Sequence, residues 1–148
     1  MRCSRRRHRR SRRIADRGRR PVEIEIGRHA EGGRLLEAAR HGTTTLEAKS
    51  GYGLTVPDER RSLEALAWAA ERSRVEVVPT FLGAHLIPEE FADDRDGYLD
   101  LLEHEMLPAC APLAEFVDAF CDRGALTVEE SRRGLEAGAR HVQGAANG

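Results

Sequence analysis

The chain has 148 residues, of which 40% are hydrophobic, enough for one domain with a real core. No apolar run approaches the roughly 20 residues of a membrane-crossing helix, so the sequence predicts no membrane span. The net charge of −1 hides a division: residues 1–20 hold eleven Arg and one acid, Asp16, and residues 21–148 carry a net of −11. That is a basic arm on an acidic body.

Arg outnumbers Lys 23 to 1, and Lys49 is the only lysine. Such a bias is typical of translation from G/C-rich DNA and says little about chemistry. Cys3, Cys110 and Cys121 form no close pair and no Cys-x-x-Cys. A disulfide framework or structural zinc site is not expected, and a reducing cytoplasm is the default. The basic N-terminus lacks the apolar stretch of a secretory signal.

In chain order, residues 1–20 read as a disordered arm, with like charges and little to bury. Eleven Arg would give it salt-dependent, non-specific affinity for nucleic acid, without the interleaved aromatics that stack on bases. Residues 21–27, PVEIEIG, alternate Val22, Ile24 and Ile26 with glutamates, a short strand pattern. From about residue 31 a helix places Leu35, Leu36 and Ala39 on one side and stops at Gly42. A β-branched strand follows at 43–48. The loop KSGYGLTV leads to a helix with Pro57 at its start and Thr55 and Asp58 as a capping pair. Leu63, Leu66, Ala67 and Ala70 carry that helix to about Arg72.

A second strand is expected at 75–82 and a helix from about Asp96, with Tyr98, Leu101, Leu102 and Met106 on one face and Pro108 ending it. FVDAFC, residues 116–121, is the third strand. Thr127 and Glu130 form a capping box for the last helix. The tail from His141 has no pattern. The organisation is therefore an arm at 1–27, an α/β body at 28–140 with three parallel βα units, and a disordered tail at 141–148. Periodicity alone leaves open a small α/β sheet or a slice of a larger barrel.

In parallel α/β folds, ligands bind beyond the carboxyl ends of the strands. Those ends carry Lys49-Ser-Gly-Tyr52-Gly53, then Gly83-Ala-His85, then Cys121-Asp122-Arg123. Tyr52 offers a hydroxyl and a ring face from between two glycines, and a packed, solvated loop tyrosine fits its position equally well. His85 could ligate metal, move a proton or bond a substrate. By position alone a loop histidine bonded to backbone is the better reading. Lys49 either pairs with a carboxylate or stands as a rim cation. Cys121, beside Asp122, reads as a small buried hydrophobe, and His104, between two glutamates, as solvated. No His-x-His, His-Glu-x-x-His or Gly-x-Ser-x-Gly is present.

Five collinear segments, HGTTTLEAKSGYGL, the helix from Glu59, VVPTFLGAHLIPEEF, YLDLLEHEMLPA and VDAFCDRGALTVEESRRGLEAG, resemble imidazolonepropionase, a metal-dependent amidohydrolase family. The resemblance runs from about residue 34 to about residue 139. It implies a partial (β/α)8, TIM-barrel-like fold. It also implies hydrolysis of 4-imidazolone-5-propanoate to N-formimidoyl-L-glutamate in histidine degradation, with zinc or iron activating water. The family's substrate-contacting tyrosine and histidine map onto Tyr52 and His85, which reverses the positional reading of His85. The family's metal ligands lie on segments that this sequence does not match. The resemblance thus implies an internal stretch of the family's chain that holds no metal and turns over no substrate by itself, with foreign ends of the kind a shifted reading frame produces.

Overall fold

The computed structural model describes residues 32–145. The expectations for the arm at 1–20 and the strand at 21–27 lie outside that span. Helix α1 (residues 32–40) buries Leu35, which packs with Ala39 against Leu46, Ala69 and Val75. Leu36 is 54% exposed, a correction to its expected inward position. A helix turns about 100° per residue, so only one of two adjacent leucines points squarely inward. Gly42, at φ +85°, closes the helix in the left-handed conformation that glycine tolerates.

Three strands follow: β1 (Thr45–Lys49), β2 (Glu76–Ala84) and β3 (Phe116–Ala119). They lie side by side in sequence order, β1-β2-β3, and both pairings are parallel. Helix α2 (Val56–Ala70) connects the first pair. Between β2 and β3 run α3 (Arg95–Leu101) and α4 (Leu107–Cys110), and α5 (Val128–Ala145) follows β3.

Alternation along the strands sorts the sheet into two faces. Leu46, Val77, Phe81 and Val117 point toward the helices and join the core with Leu63, Leu66, Tyr98, Leu102, Met106 and Leu107. Each large side chain fully buried there contributes about 1.5–3 kcal/mol. Thr45, Glu47, Lys49, Glu76 and Phe116 occupy the other face and are exposed.

Pro108 does not end the third helix, contrary to expectation. α3 passes through a π turn, Leu102–Met106, into α4. The Leu107 N–H bonds the Leu102 carbonyl five residues back. This widened turn accommodates a proline ring that would clash with an ordinary α-turn carbonyl. It also brings Met106, Leu107 and Cys110 into the core.

The Thr127–Glu130 capping box is formed: Glu130 N–H donates to Thr127 Oγ1 at 3.3 Å, and Thr127 N–H to Glu130 Oε2 at 2.7 Å. From this anchored start α5 runs to Ala145, five residues into the segment expected to be a disordered tail. Propagating a nucleated helix costs little per residue, and no proline stops it. Two of its glycines set its depth on the sheet. A Cβ at Gly138 would lie 2.6 Å from Val117 Cγ1, and one at Gly134 would lie 3.2 Å from Ala84 Cβ. Among the described residues no helix is long and apolar enough to cross a membrane.

Candidate functional site

The loops carrying Tyr52 and His85 leave the same end of adjacent parallel strands. They meet at Leu82. The Leu82 N–H donates to Ser50 Oγ at 3.2 Å. Gly51, at φ +107°, lies so close that a Cβ there would stand 2.5 Å from the Leu82 carbonyl oxygen. That same oxygen accepts from His85 Nδ1 at 2.9 Å. One backbone position thus ties both candidate loops together.

His85 is half-buried, and two features define its chemistry. A carbonyl only accepts, so the Leu82 bond fixes the proton on Nδ1 and leaves Nε2 as an acceptor. Burial pushes the ring's pKa below the ordinary 6.5, against weaker opposing effects of the Leu82 bond and the Glu59 charge. The ring is neutral at pH 7. A register irregularity in β2 between Phe81 and Ala84 lies just before it, and such bulges redirect the side chains that follow.

Tyr52 is 65% exposed. The turn under it is fixed from inside by Glu59, a fully buried carboxylate on α2. Glu59 Oε2 accepts from Gly51 N–H at 2.6 Å, and Oε1 accepts from the N–H groups of Gly53 and Leu54, each at 2.8 Å. Leu54 is held at φ +55°, a conformation that costs a leucine energy. Gly53 is equally constrained, since a Cβ there would stand 2.3 Å from Asp58 Cβ. The sequence reading missed Glu59. Its signal was phase: Glu59 shares the inward stripe of Leu63 and Leu66 at spacings of four and three, where an acid is out of place.

The other candidates separate. Lys49 pairs with carboxylates on the open face, Asp118 at 2.6 Å and Glu47 at 3.4 Å. Glu47 also accepts from Thr80 Oγ1 at 2.8 Å, so a polar network spans all three strands. Cys121 is exposed, which corrects the expectation of a buried thiol. β3 ends at Ala119, two residues earlier than expected, and Cys121 falls in the turn beyond the core. His104 is exposed, as expected.

Among the described residues, no group of three or more His, Cys, Asp or Glu could hold a metal ion. His85 has no such neighbours to complete a set of about three protein ligands. The described rim therefore does not fit a catalytic metal. It carries Tyr52 and His85 on segments tied by hydrogen bonds to Glu59, Ser50 and Leu82.

The fold and rim define a parallel βα protein with its polar, glycine-bearing loops gathered at the carboxyl ends of the strands. No family model matches the chain, but similar curated proteins do. It is 48% identical over 110 residues to imidazolonepropionase of Brevibacillus brevis, covering 73% of this chain and 26% of that protein. With imidazolonepropionase of Geobacillus thermodenitrificans it shares 52% over 103 residues, 68% of this chain and 24% of the other. With that of Mycolicibacterium smegmatis it shares 53% over 108 residues, 72% and 26%. The chain belongs to the imidazolonepropionase family, and it spans about a quarter of the length of the curated relatives it matches.

Proposed function

We propose that this chain supplies the substrate grip of an imidazolonepropionase-type cyclic amide hydrolase, one that opens 4-imidazolone-5-propanoate to N-formimidoyl-L-glutamate. The observation that carries the reading is the convergence of the Tyr52 and His85 loops on Leu82, within a stretch about half identical to those enzymes. Neutral His85, with Nε2 free to accept, suits a ring N–H of the imidazolone. The Tyr52 hydroxyl suits a carboxylate or carbonyl oxygen. The sheet supports a partial (β/α)8 barrel: its strands run in sequence order with helices on one face, the winding of a barrel wall, and its uncovered face would line the barrel interior.

The described residues do not supply water activation. Family hydrolysis relies on a metal, and no donor set for one is present among them. The purified chain should therefore bind without turning over. Titration with imidazole-4-propanoate, a stable analogue carrying the ring and the carboxylate, should shift the ring resonances of His85 and Tyr52. Tyr52→Phe should weaken that binding several-fold. Analogue shifts confined to other residues would overturn the reading of the grip. Stoichiometric zinc in the purified chain, with hydrolysis abolished by chelation, would overturn the division between grip and water activation.

A further inference from the structure

The backbone around Tyr52 has the form of an anion cradle: a strand, a glycine-bearing loop, and a helix start, with several N–H groups converging. Here the anion is internal. We propose that Glu59 is the positioning residue of the Tyr52 loop, a buried carboxylate that brackets Tyr52 by holding the N–H groups on either side of it. The proposal rests on the functional reading above for what Tyr52 contacts, but the bracket itself stands on geometry.

Three facts carry it. One carboxylate oxygen takes Gly51 and the other takes Gly53 and Leu54, so Tyr52 sits inside a closed span with both ends fixed. Glu59 is fully buried, and its hydrogen-bond donors are these backbone groups. A charged acceptor satisfied by backbone donors is held more rigidly than one shared with a long, mobile side chain. The bracketed segment is also strained at Leu54, a non-glycine residue held at positive φ. Without the carboxylate, Leu54 has a strong reason to relax, and the turn under Tyr52 relaxes with it. An exposed side chain on a loop is ordinarily poorly fixed. Glu59 gives this one a defined base, which lowers the ordering cost of gripping a ligand.

The test is amide hydrogen exchange on the full chain and its Glu59→Gln variant, followed by analogue titration of both. Gln keeps the shape but turns one oxygen into a donor that opposes an N–H. Exchange at Gly51, Gly53 and Leu54 should accelerate about ten- to a hundredfold, matching the loss of bonds to a charged acceptor, while the amides of Leu63 and Phe81 keep their rates. Imidazole-4-propanoate should bind about tenfold more weakly, with His85 still responding to it. In Glu59→Ala, added formate should restore part of the protection at the three amides. Unprotected Gly51, Gly53 and Leu54 in the unsubstituted chain would overturn the proposal, and so would equal acceleration throughout α2 and β2. If the unsubstituted chain shows no analogue shifts, the grip reading is lost, and the exchange result alone decides the bracket.

Discussion

On the helical face of the sheet, Phe81 is sealed among Leu63, Tyr98 and Leu102. On the opposite face, Phe116 is 58% exposed beside Thr80, and Glu47, Lys49 and Asp118 share that face. Parallel sheets are ordinarily covered on both sides. Here one side is stabilised by packing, and the other is kept polar by hydrogen bonds and ion pairs. The difference separates two means of stabilisation: apolar packing on the first face, hydrogen bonds and ion pairs on the second.

Cutting a ring from each face gives the largest expected contrast. Phe81→Ala should cost about 3–5 kcal/mol in urea unfolding, from lost transfer energy and the cavity left behind. Phe116→Ala should stay within about 0.5 kcal/mol, as surface changes usually do. Similar costs for the two would break the comparison.

Glu130 tests the helical side through electrostatics. Its side-chain bond with Arg95, with help from Thr127, holds its carboxyl down at about 2. A carboxyl with a depressed folded value stabilises above its unfolded value, and that stabilisation disappears as pH falls toward about 2. Glu130→Gln should flatten the acid limb of stability below about pH 4.5. It should also cost up to about 1 kcal/mol at neutral pH through the lost ion pair with the partly exposed Arg95, read by thermal unfolding across pH.

The open face should respond weakly. The hydrogen bond to Asp118 raises the Lys49 pKa, and the same bond lowers that of Asp118. Both groups are about a third exposed or more. Lys49→Met should therefore cost less than about 1 kcal/mol, and the cost should shrink in high salt. A salt-independent loss of several kcal/mol would show that the open face is part of the core.

The smallest effect belongs to His85. Burial lowers its pKa, so the unfolded chain takes up a proton more readily. Its contribution is complete above about pH 6.5 and is lost as pH falls toward the folded value. The ring titration followed by NMR should have its midpoint below 6.5, and His85→Gln should remove that slight slope. A midpoint above 6.5 would mean that the Leu82 bond and the Glu59 charge outweigh burial.

The three strands, their parallel sense and both capping pairs were legible because each rests on local pattern: β-branched runs, Thr55 before Pro57, and Thr127 three residues before Glu130. Pro108 misled because a helix can make room for a proline by widening a turn, and no local pattern announces that. Leu36 and Cys121 show the limit of residue type as a guide to burial, since which way each points depends on helix phase and on where β3 ends. Of the candidate site, Tyr52 and His85 were named from strand ends and resemblance. Their common anchor at Leu82 was not, because it joins residues about 30 positions apart through main-chain atoms that carry no residue signature. Glu59 was visible in principle, as an acid on an apolar stripe.

Gly134 and Gly138 of α5 have a consequence for how the helix seats on the sheet. Val117 sits against the flat spot left by Gly138, and Ala84 against that left by Gly134, so the helix and the strands fit like a key cut with two notches. The two positions are four residues, about one helical turn, apart, so sliding α5 by one turn keeps a glycine at one contact and puts a side chain at the other. The helix therefore matches both contacts in a single register, and the two contacts coexist only where β2 and β3 lie side by side. A third strand slipped along the sheet would carry Val117 off the Gly138 notch and spoil that fit.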